Sequence, residues 1–587
     1  VAVRSDTIAS AQKPDAPDRE SAMILLDPKN HDRSYPDERS RDVMRKTIEF
    51  FEAKGLRRLK EDDRERTWYA DFLEFIKKEK IFSTILTPSG YGAPDSRWDT
   101  WRICEFAEIL GFYGLHYWYS WQVSVLGLGP IWMSQNEALK ERTAQLLEDG
   151  GIFAFGLSER THGADVYSSE MQLAPQPEGN YLANGEKYYI GNGNRAALVS
   201  TFGKLSDSGD YVFFAAESGH ERYECIRNVV NSQSYVSSFA LHDYPITEDD
   251  ILSKGRDAWD AALNTVNVGK FNLGWASIGI CTHALYEAFA HAANRRLYGQ
   301  AVTDFPHVKQ LFTDAYTRLV AMKLVALRAA DYLRSASSED RRYLLYNSVV
   351  KMKVTTQGED VINHLWDVIA AKGFERDTYF EMAARDIRAL PKLEGTVHVN
   401  IALIIKFMPN YFFNPSEYPE IPRRDDAAND DFLFSQGPTK GLGHIQFHPY
   451  EPVFESWNLP NVERFCAQTA VFREMLERAT PGASQANDID FLMAVGEIFT
   501  LVVYAQLLLE NARIYELETA LVDQIFDVLI RDFSDFALQL YGKPSSTPEQ
   551  MEYCLRMIQK PVADAGRYAQ IWEEQVLPLA NRYEMNP

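Results

Sequence analysis

No pair of cysteines in this 587-residue chain has CxxC spacing; Cys104, Cys225, Cys281, Cys466 and Cys554 are scattered singly. That excludes a disulfide framework and a thiolate zinc site, and it fits a reducing compartment, cytoplasmic or, in a eukaryotic source, the mitochondrial matrix. An excess of positive charge is also missing. Lys plus Arg number 61 against 83 Asp plus Glu, a formal net charge of −22, so nothing draws the chain as a whole to nucleic acid or anionic lipid. Long apolar runs are scarce. The longest, Phe499 to Leu509, is interrupted by Gln506 and bounded by Glu497 and Glu510, short of the roughly 20 residues a membrane-spanning helix needs, so no such helix is expected. The first residues lack the apolar centre of a secretory signal, and residues 1–41 read as an arm, flexible or draped over the surface. What is present is ordinary for a globular protein: 45% hydrophobic and 25% charged residues, a balance that rules out collagenous and wholly disordered chains.

The periodicity changes along the chain. Residues 42–150 carry apolar positions such as Phe72, Phe75 and Ile76 at helical spacing, with a break at Pro88 to Pro94. Residues 151–255 switch to β-type runs, Tyr188 to Ile190, Leu198 to Phe202 and Tyr211 to Ala215, with Asn184-Gly185 and Asn192-Gly193 as expected turns. Helices return over 256–408. One is expected from Leu263 to Ala293 with Gly269, Gly274 and Gly279 inside it, which suggests a close neighbour, either helix or ligand. Another, Leu319 to Leu333, is apolar almost all round and must be buried. Residues 409–460 hold eight prolines and cannot form long helices, and 461–587 read as further amphipathic helices, enough for a separate bundle. His444 and His448 have helical spacing, but Gly441, Gly443 and Pro449 make them loop histidines; no metal site is expected.

Three blocks carry candidate chemistry. The first is Phe155-Gly-Leu157-Ser158-Glu159 through Gly163-Ala164-Asp165, followed by Lys187-Tyr-Tyr189-Ile190-Gly191-Asn192-Gly193. Small residues and exposed amides there let a flat or anionic cofactor approach the backbone, although ordinary β-domain turns look the same. The second is Arg295-Arg296-Leu-Tyr298-Gly299, suited to a pyrophosphate or simply a solvated basic turn. The third runs from Lys372-Gly373-Phe374 through Arg385-Asp386 to Leu393-Glu394-Gly395-Thr396. A carboxylate placed after an apolar segment is desolvated, which raises its pKa toward that of a general base.

In this order, and across a helix, β, helix layout, these blocks resemble the acyl-CoA dehydrogenase family of flavoproteins over about residues 45–410. The stretch Asn267-Val-Gly269-Lys270-Phe271 and the C-terminal extension look most like the very-long-chain branch. The resemblance implies a mainly α fold with a middle β domain: an N-terminal helical domain, a β-barrel domain, a helical bundle bearing the base, and an added C-terminal helical bundle. It implies FAD as cofactor, bound by Leu157, Ser158, Tyr189, Ile190, Gly191, Arg295 and Thr396, with Arg295 reaching the FAD of a neighbouring subunit. It implies Glu394 as the base that removes the α proton of an acyl-CoA thioester while the β hydride passes to flavin N5, as in fatty acid β-oxidation. Ala164, Asn267, Lys270, Leu393 and Gly395 are implied to lie against substrate. A homodimer and an electron-transfer flavoprotein as acceptor follow from the same resemblance.

The chain departs from the family at Gly191, where a Thr is common, at Ala370-Ala371, where a Gly-Gly pair is common, and at Pro306, a usual Gln position. Acyl-carrier-protein thioesters and an acyl-CoA oxidase on the same fold are the alternatives, although oxidases usually have an acid where this chain has Thr396. A non-catalytic binding member is the third reading.

Overall fold

The computed structural model describes residues 24–31 and 34–587. Residues 1–23 of the expected arm lie outside the described residues. Its later part is pinned in place: Leu25 and Leu26 are buried, and Asp27 pairs with Arg582 at 2.8 Å.

The helical first part comprises α1 (Glu38–Glu65), α2 (Ala70–Lys78), α3 (Ile81–Leu86), α4 (Thr100–Tyr113), α5 (Leu115–Met133) and α6 (Glu137–Glu148). Side-chain caps start three of them: Asp37 accepts from Ser40 N, Asp99 from Trp101 N and Arg102 N, and Asn136 from Leu139 N. Almost every residue of α4 and α5 is buried, so neither has a solvent face and both are inner walls.

The middle part is a sheet of β1 (Phe153–Gly156), β2 (Gln172–Pro175), β3 (Tyr181–Gly191), β4 (Leu198–Leu205), β5 (Tyr211–Ala216), β6 (Tyr223–Asn228), β7 (Val236–Ile246) and β8 (Ile251–Lys254). The order is β6-β7-β3-β2-β4-β5-β8, with β1 pairing β4 in parallel. Asn184-Gly185 is not a turn: it lies inside β3 at a bulge, where the register against β7 shifts between Ala183 and Gly185. The second shift, between Tyr188 and Ile190, twists Tyr189 into the left-handed region at φ 64° and re-aims the end of the strand.

The expected single helix over Leu263 to Ala293 is two, α7 (Gly255–Gly269) and α8 (Asn272–Ala293). α5 causes the break: its Gln122 takes the Gly269 carbonyl at 3.0 Å, and a Cβ on Gly269 would lie 2.7 Å from Leu126 Cδ2. The other glycines serve helix crossings, since a Cβ on Gly279 would meet Glu108 O at 2.2 Å and one on Gly274 would meet Val350 Cγ1 at 2.6 Å.

Then come the hairpin β9 (Arg296–Leu297) and β10 (Gln300–Ala301), and helices α9 (Pro306–Arg334), α10 (Tyr343–Val349), α11 (Thr355–Ile369), α12 (Tyr379–Asp386) and α13 (Val397–Ile404). A π-helical turn, Val350–Val354, joins α10 to α11. The proline-rich stretch has only short helices, α14 (Met408–Phe413) and α15 (Glu451–Glu455), besides 3-10 turns. Its loop residue His448 is tied to the core, Nε2 lying 2.9 Å from Glu510 Oε1 and Nδ1 accepting from Arg342 at 2.7 Å.

The last helices are α16 (Pro460–Arg478), α17 (Ile489–Ile514), α18 (Thr519–Tyr541), α19 (Pro548–Met557) and α20 (Ala565–Ile571). They pack on one another as a bundle, and that bundle is joined to the preceding helices. α17 packs against α9 and α13, and buried Arg318 of α9 forks onto Asp532 of α18 with two contacts of 2.7 Å. Contrary to expectation, α17 is long and apolar enough by composition to cross a membrane, but 83% of its most apolar window is packed inside the protein. Apolar residues ahead of Phe499, from Phe491 to Val495 and Ile498, extend the run once the whole helix is counted.

Candidate active site

Glu394 sits on a bent backbone. It and Gly395 have φ of 52° and 89°, and Thr396 then caps α13 by accepting from Val399 N. Two successive left-handed residues turn the chain sharply, and for a non-glycine residue that conformation is held only by its surroundings. Asn400 Nδ2 supplies part of that hold by donating to Gly395 O at 3.1 Å and Thr396 O at 3.0 Å.

The carboxylate enters a polar pocket in an otherwise apolar wall. Gln122 Nε2, from α5, lies 2.9 Å from Glu394 Oε1 and 3.1 Å from Oε2. Two buried lysines act on it from the bundle side: Lys270, at the α7–α8 break, donates to Ser348 Oγ at 2.8 Å, and Lys351, in the π turn, donates to Leu390 O at 2.8 Å. Desolvation pushes the Glu394 carboxyl from 4.5 up to about 7, and the Gln122 donor and the charges of Lys351 and Lys270 pull against that rise. Burial likewise lowers Lys270 to about 8 and Lys351 to about 7, with Glu394 opposing both shifts. Near neutrality the group is therefore balanced between acid and base forms, as a general base should be.

The β-domain wall is built from the first motif. Tyr188 N donates to Ser158 O at 3.0 Å and Ser158 Oγ to Tyr188 O at 2.7 Å, which locks the Leu157–Ser158 loop alongside the end of β3. With its proton spent on Tyr188, the Ser158 hydroxyl can only accept from a ligand. Beneath the loop, buried Lys187 pairs with Glu159 at 2.7 Å and donates to Leu157 O at 3.0 Å. Glu159, His162 and Glu170 bring ligand atoms within 4.8 Å of one another, but Lys187 already neutralises Glu159. Tyr189 is exposed, Ile190 and Gly191 are buried, and Ala164 is on the exposed loop before β2.

Tyr119 of α5 joins the two walls. A Cβ on Gly191 would lie 2.7 Å from Tyr119 Cε1 and from Val123 Cγ1, so the ring fills the space a side chain at 191 would need. The same tyrosine feels the Glu394 charge, which adds to burial in raising its hydroxyl pKa. Asn267 and Leu393 are half-buried, and Thr396 is exposed. Arg295 is exposed at the base of the β9–β10 hairpin, whose tip Tyr298 is 96% exposed. Thus Glu394 and Lys270 are brought together, whereas the guanidinium of Arg295 makes no described hydrogen bond or ion pair.

Sequence reasoning missed Gln122, Lys351 and Tyr119. Gln122 gave a signal, as a polar residue amid the aromatics of α5; Lys351 and Tyr119 gave none that periodicity could separate from core.

The wall of Leu157, Ser158 and Tyr189 to Gly191 fits a planar heteroaromatic cofactor. It offers main-chain groups, one hydroxyl acceptor and the exposed aromatic residue Tyr189.

Comparison with known proteins agrees with this layout. Residues 257–408 match the family model described as acyl-CoA dehydrogenase, C-terminal domain. The chain is 22% identical over 344 residues to a 3-(aryl)acrylate reductase of Clostridium sporogenes, covering 56% of this chain and 89% of that one. It is 23% identical over 317 residues to the mitochondrial very long-chain specific acyl-CoA dehydrogenase of Rattus norvegicus, covering 50% and 47% respectively, so it spans about half of that relative. An acyl-CoA dehydrogenase from Bacillus anthracis, solved in complex with FAD, superposes with a TM-score of 0.70 at 15% identity, covering 94% of this chain and 97% of that one. The chain is thus similar to the acyl-CoA dehydrogenases: residues 257–408 match the model of their C-terminal domain, and the architecture is the acyl-CoA dehydrogenase fold with further C-terminal helices.

Proposed function

We propose that this protein is an FAD-dependent dehydrogenase of a saturated acyl thioester, with Glu394 as the base that removes the α proton. The observation that carries the reading is the Glu394 carboxylate itself: gripped by Gln122, its pKa pushed up to about 7 by desolvation, and linked by Tyr119 to the wall of Ser158 and Gly191. Proton abstraction next to a thioester carbonyl needs a base in that range and a donor for the enolate oxygen, and the backbone N–H of Glu394 is the donor on this chain. Entry of an acyl chain expels water from the pocket, which strengthens both the carboxylate's basicity and that hydrogen bond. Bound FAD supplies the acceptor for the electron pair that leaves with the β hydrogen. Leu157, Ser158, Tyr189, Ile190, Gly191 and Thr396 hold its ring system, while Ala164, Asn267, Lys270, Leu393 and Gly395 face the thioester. Arg295 and the exposed Tyr298 hairpin reach a second copy in a homodimer, where the guanidinium meets the diphosphate. An electron-transfer flavoprotein is the proposed acceptor and the cytoplasm or mitochondrial matrix the proposed compartment.

Anaerobic titration of FAD-loaded protein with saturated acyl-CoAs of several lengths tests the reading. Loss of flavin absorbance in the wild type but not in Glu394→Gln supports it. Flavin that binds yet is reduced by no acyl-CoA moves the substrate to a carrier-protein thioester, and failure with both thioesters refutes α,β-dehydrogenation.

A further inference from the structure

Gln122 is fully buried halfway along α5, and its carboxamide joins three segments that are far apart in sequence. Nε2 donates to Gly269 O at 3.0 Å and faces both oxygens of Glu394, at 2.9 and 3.1 Å. Oε1 accepts from Asn272 Nδ2 at 3.1 Å. These partners fix which end of the amide is nitrogen, because the flipped group would turn its oxygen toward a carbonyl and a carboxylate and its NH2 toward another NH2. An amide carries two N–H protons; one serves Gly269, and the other is shared by the carboxylate oxygens.

This grip is built by the fold. Gly269 permits the approach, since a Cβ there would lie 3.2 Å from Gln122 Nε2 and closer still to Leu126. The α7–α8 break then places Asn272 one turn further on, where it orients the amide from the other side. Glu394, on its left-handed turn, has no described hydrogen bond to its carboxylate other than Gln122. Neither lysine forms an ion pair with it within 4.0 Å. We propose that Gln122 is the positioning residue of Glu394, holding the carboxylate of the base in one orientation through a single amide that Gly269 and Asn272 lock in place.

The inference rests on the dehydrogenase reading for its kinetic arm but not for its titration arm. A donor shared between two oxygens serves the ionised carboxylate better than the acid, one of whose oxygens carries a proton. Gln122→Met keeps the length of the side chain and loses the donor; Gln122→Glu keeps the shape and places a second acid beside Glu394. The first experiment follows the infrared carboxyl band that Glu394→Gln removes, as a function of pH. The midpoint of that band should rise in Gln122→Met and rise further in Gln122→Glu, while thermal melts and FAD content report whether each variant has folded.

The second experiment follows flavin reduction by the acyl-CoA found active with wild type, in a single turnover. Gln122→Met should slow reduction about 10- to 100-fold at pH 7, the equivalent of one hydrogen bond to a charged group, with the loss shrinking at high pH and acyl-CoA affinity changing little. An unmoved carboxyl midpoint in folded Gln122→Met overturns the proposal, and so does a rate loss equal at every pH. If wild type reduces no flavin with any thioester, the dehydrogenase reading fails, and the carboxyl titration still decides whether Gln122 holds Glu394. Should Gln122→Met not fold, Gln122→Glu carries the same titration.

Discussion

Replacing Glu394 by Gln keeps the shape of the side chain and removes its ionisable proton, so its effect on stability should depend on pH in a way that packing alone would not produce. The folded-state carboxyl titrates at about 7 against an ordinary 4.5. Below 4.5 both folded and unfolded chains are protonated at this site, and wild type and variant pay nothing for a charge there. Between the two values the folded state holds the proton more tightly than the unfolded one, so this site's contribution to wild-type stability declines as pH rises through the interval. Above about 7 the decline is complete, and at about 1.4 kcal/mol per pH unit it amounts to about 3 kcal/mol. That figure is a ceiling, because removing the anion also removes the partner that favours the charged forms of Lys270 and Lys351. Urea melts of wild type and Glu394→Gln at pH 5 and pH 8.5, with matched FAD content, measure the difference. The variant should be close to wild type at pH 5 and more stable at pH 8.5. An equal effect at both values, or a variant destabilised at pH 8.5, would refute a desolvated carboxylate and with it the claim that burial tunes this base.

Three further outcomes follow from the packing. Glu159→Gln strands buried Lys187 without its carboxylate partner and should cost about 3 kcal/mol in urea melts; a cost within error of zero would mean that Leu157 O and Ser169 satisfy the ammonium alone. Gly191→Thr should destabilise by about 1–3 kcal/mol by overpacking against Tyr119 and Val123. Adding Tyr119→Ala should recover part of that loss, and strict additivity in melts of the four proteins would contradict the steric account. Asp532→Asn removes the charge that Arg318 needs. The Asp532 carboxyl is buried, a cost its partner Arg318 outweighs, holding it below the usual carboxylate value. Its stabilisation is therefore present at neutral pH and lost as pH falls through its folded value, so the deficit of the variant at pH 7 should shrink on acidification.

The helix, sheet, helix succession was legible because each part advertises its own period: Phe72, Phe75 and Ile76 at helical spacing, then Leu198 to Phe202 and Tyr211 to Ala215 as apolar runs of strand length. Where local signals were ambiguous, tertiary packing overrode them. Asn184-Gly185 has the composition of a hairpin turn, yet β7 pairs along both sides of it and absorbs it as a bulge. Leu263 to Ala293 has one continuous apolar pattern, and nothing in that pattern announces that Gln122, nearly 150 positions earlier, takes the Gly269 carbonyl and ends the helix there.

By itself the sequence determined the class of architecture, the order of its parts, and the chemical identity of the residue at the turn, Glu394-Gly395-Thr396, because these depend on residue type and spacing along one segment. Only the tertiary structure decided what that carboxylate experiences. Its pKa depends on the water removed by walls drawn from separate segments, on a donor from α5, and on two lysines that reach it from the α7–α8 break and from a π-helical turn. The attachment of the C-terminal helices was settled in the same way. Apolar composition all round shows that α17 must bury itself, but the partner it buries against is fixed by long-range pairs such as Arg328 of α9 with Glu510, which no local pattern encodes.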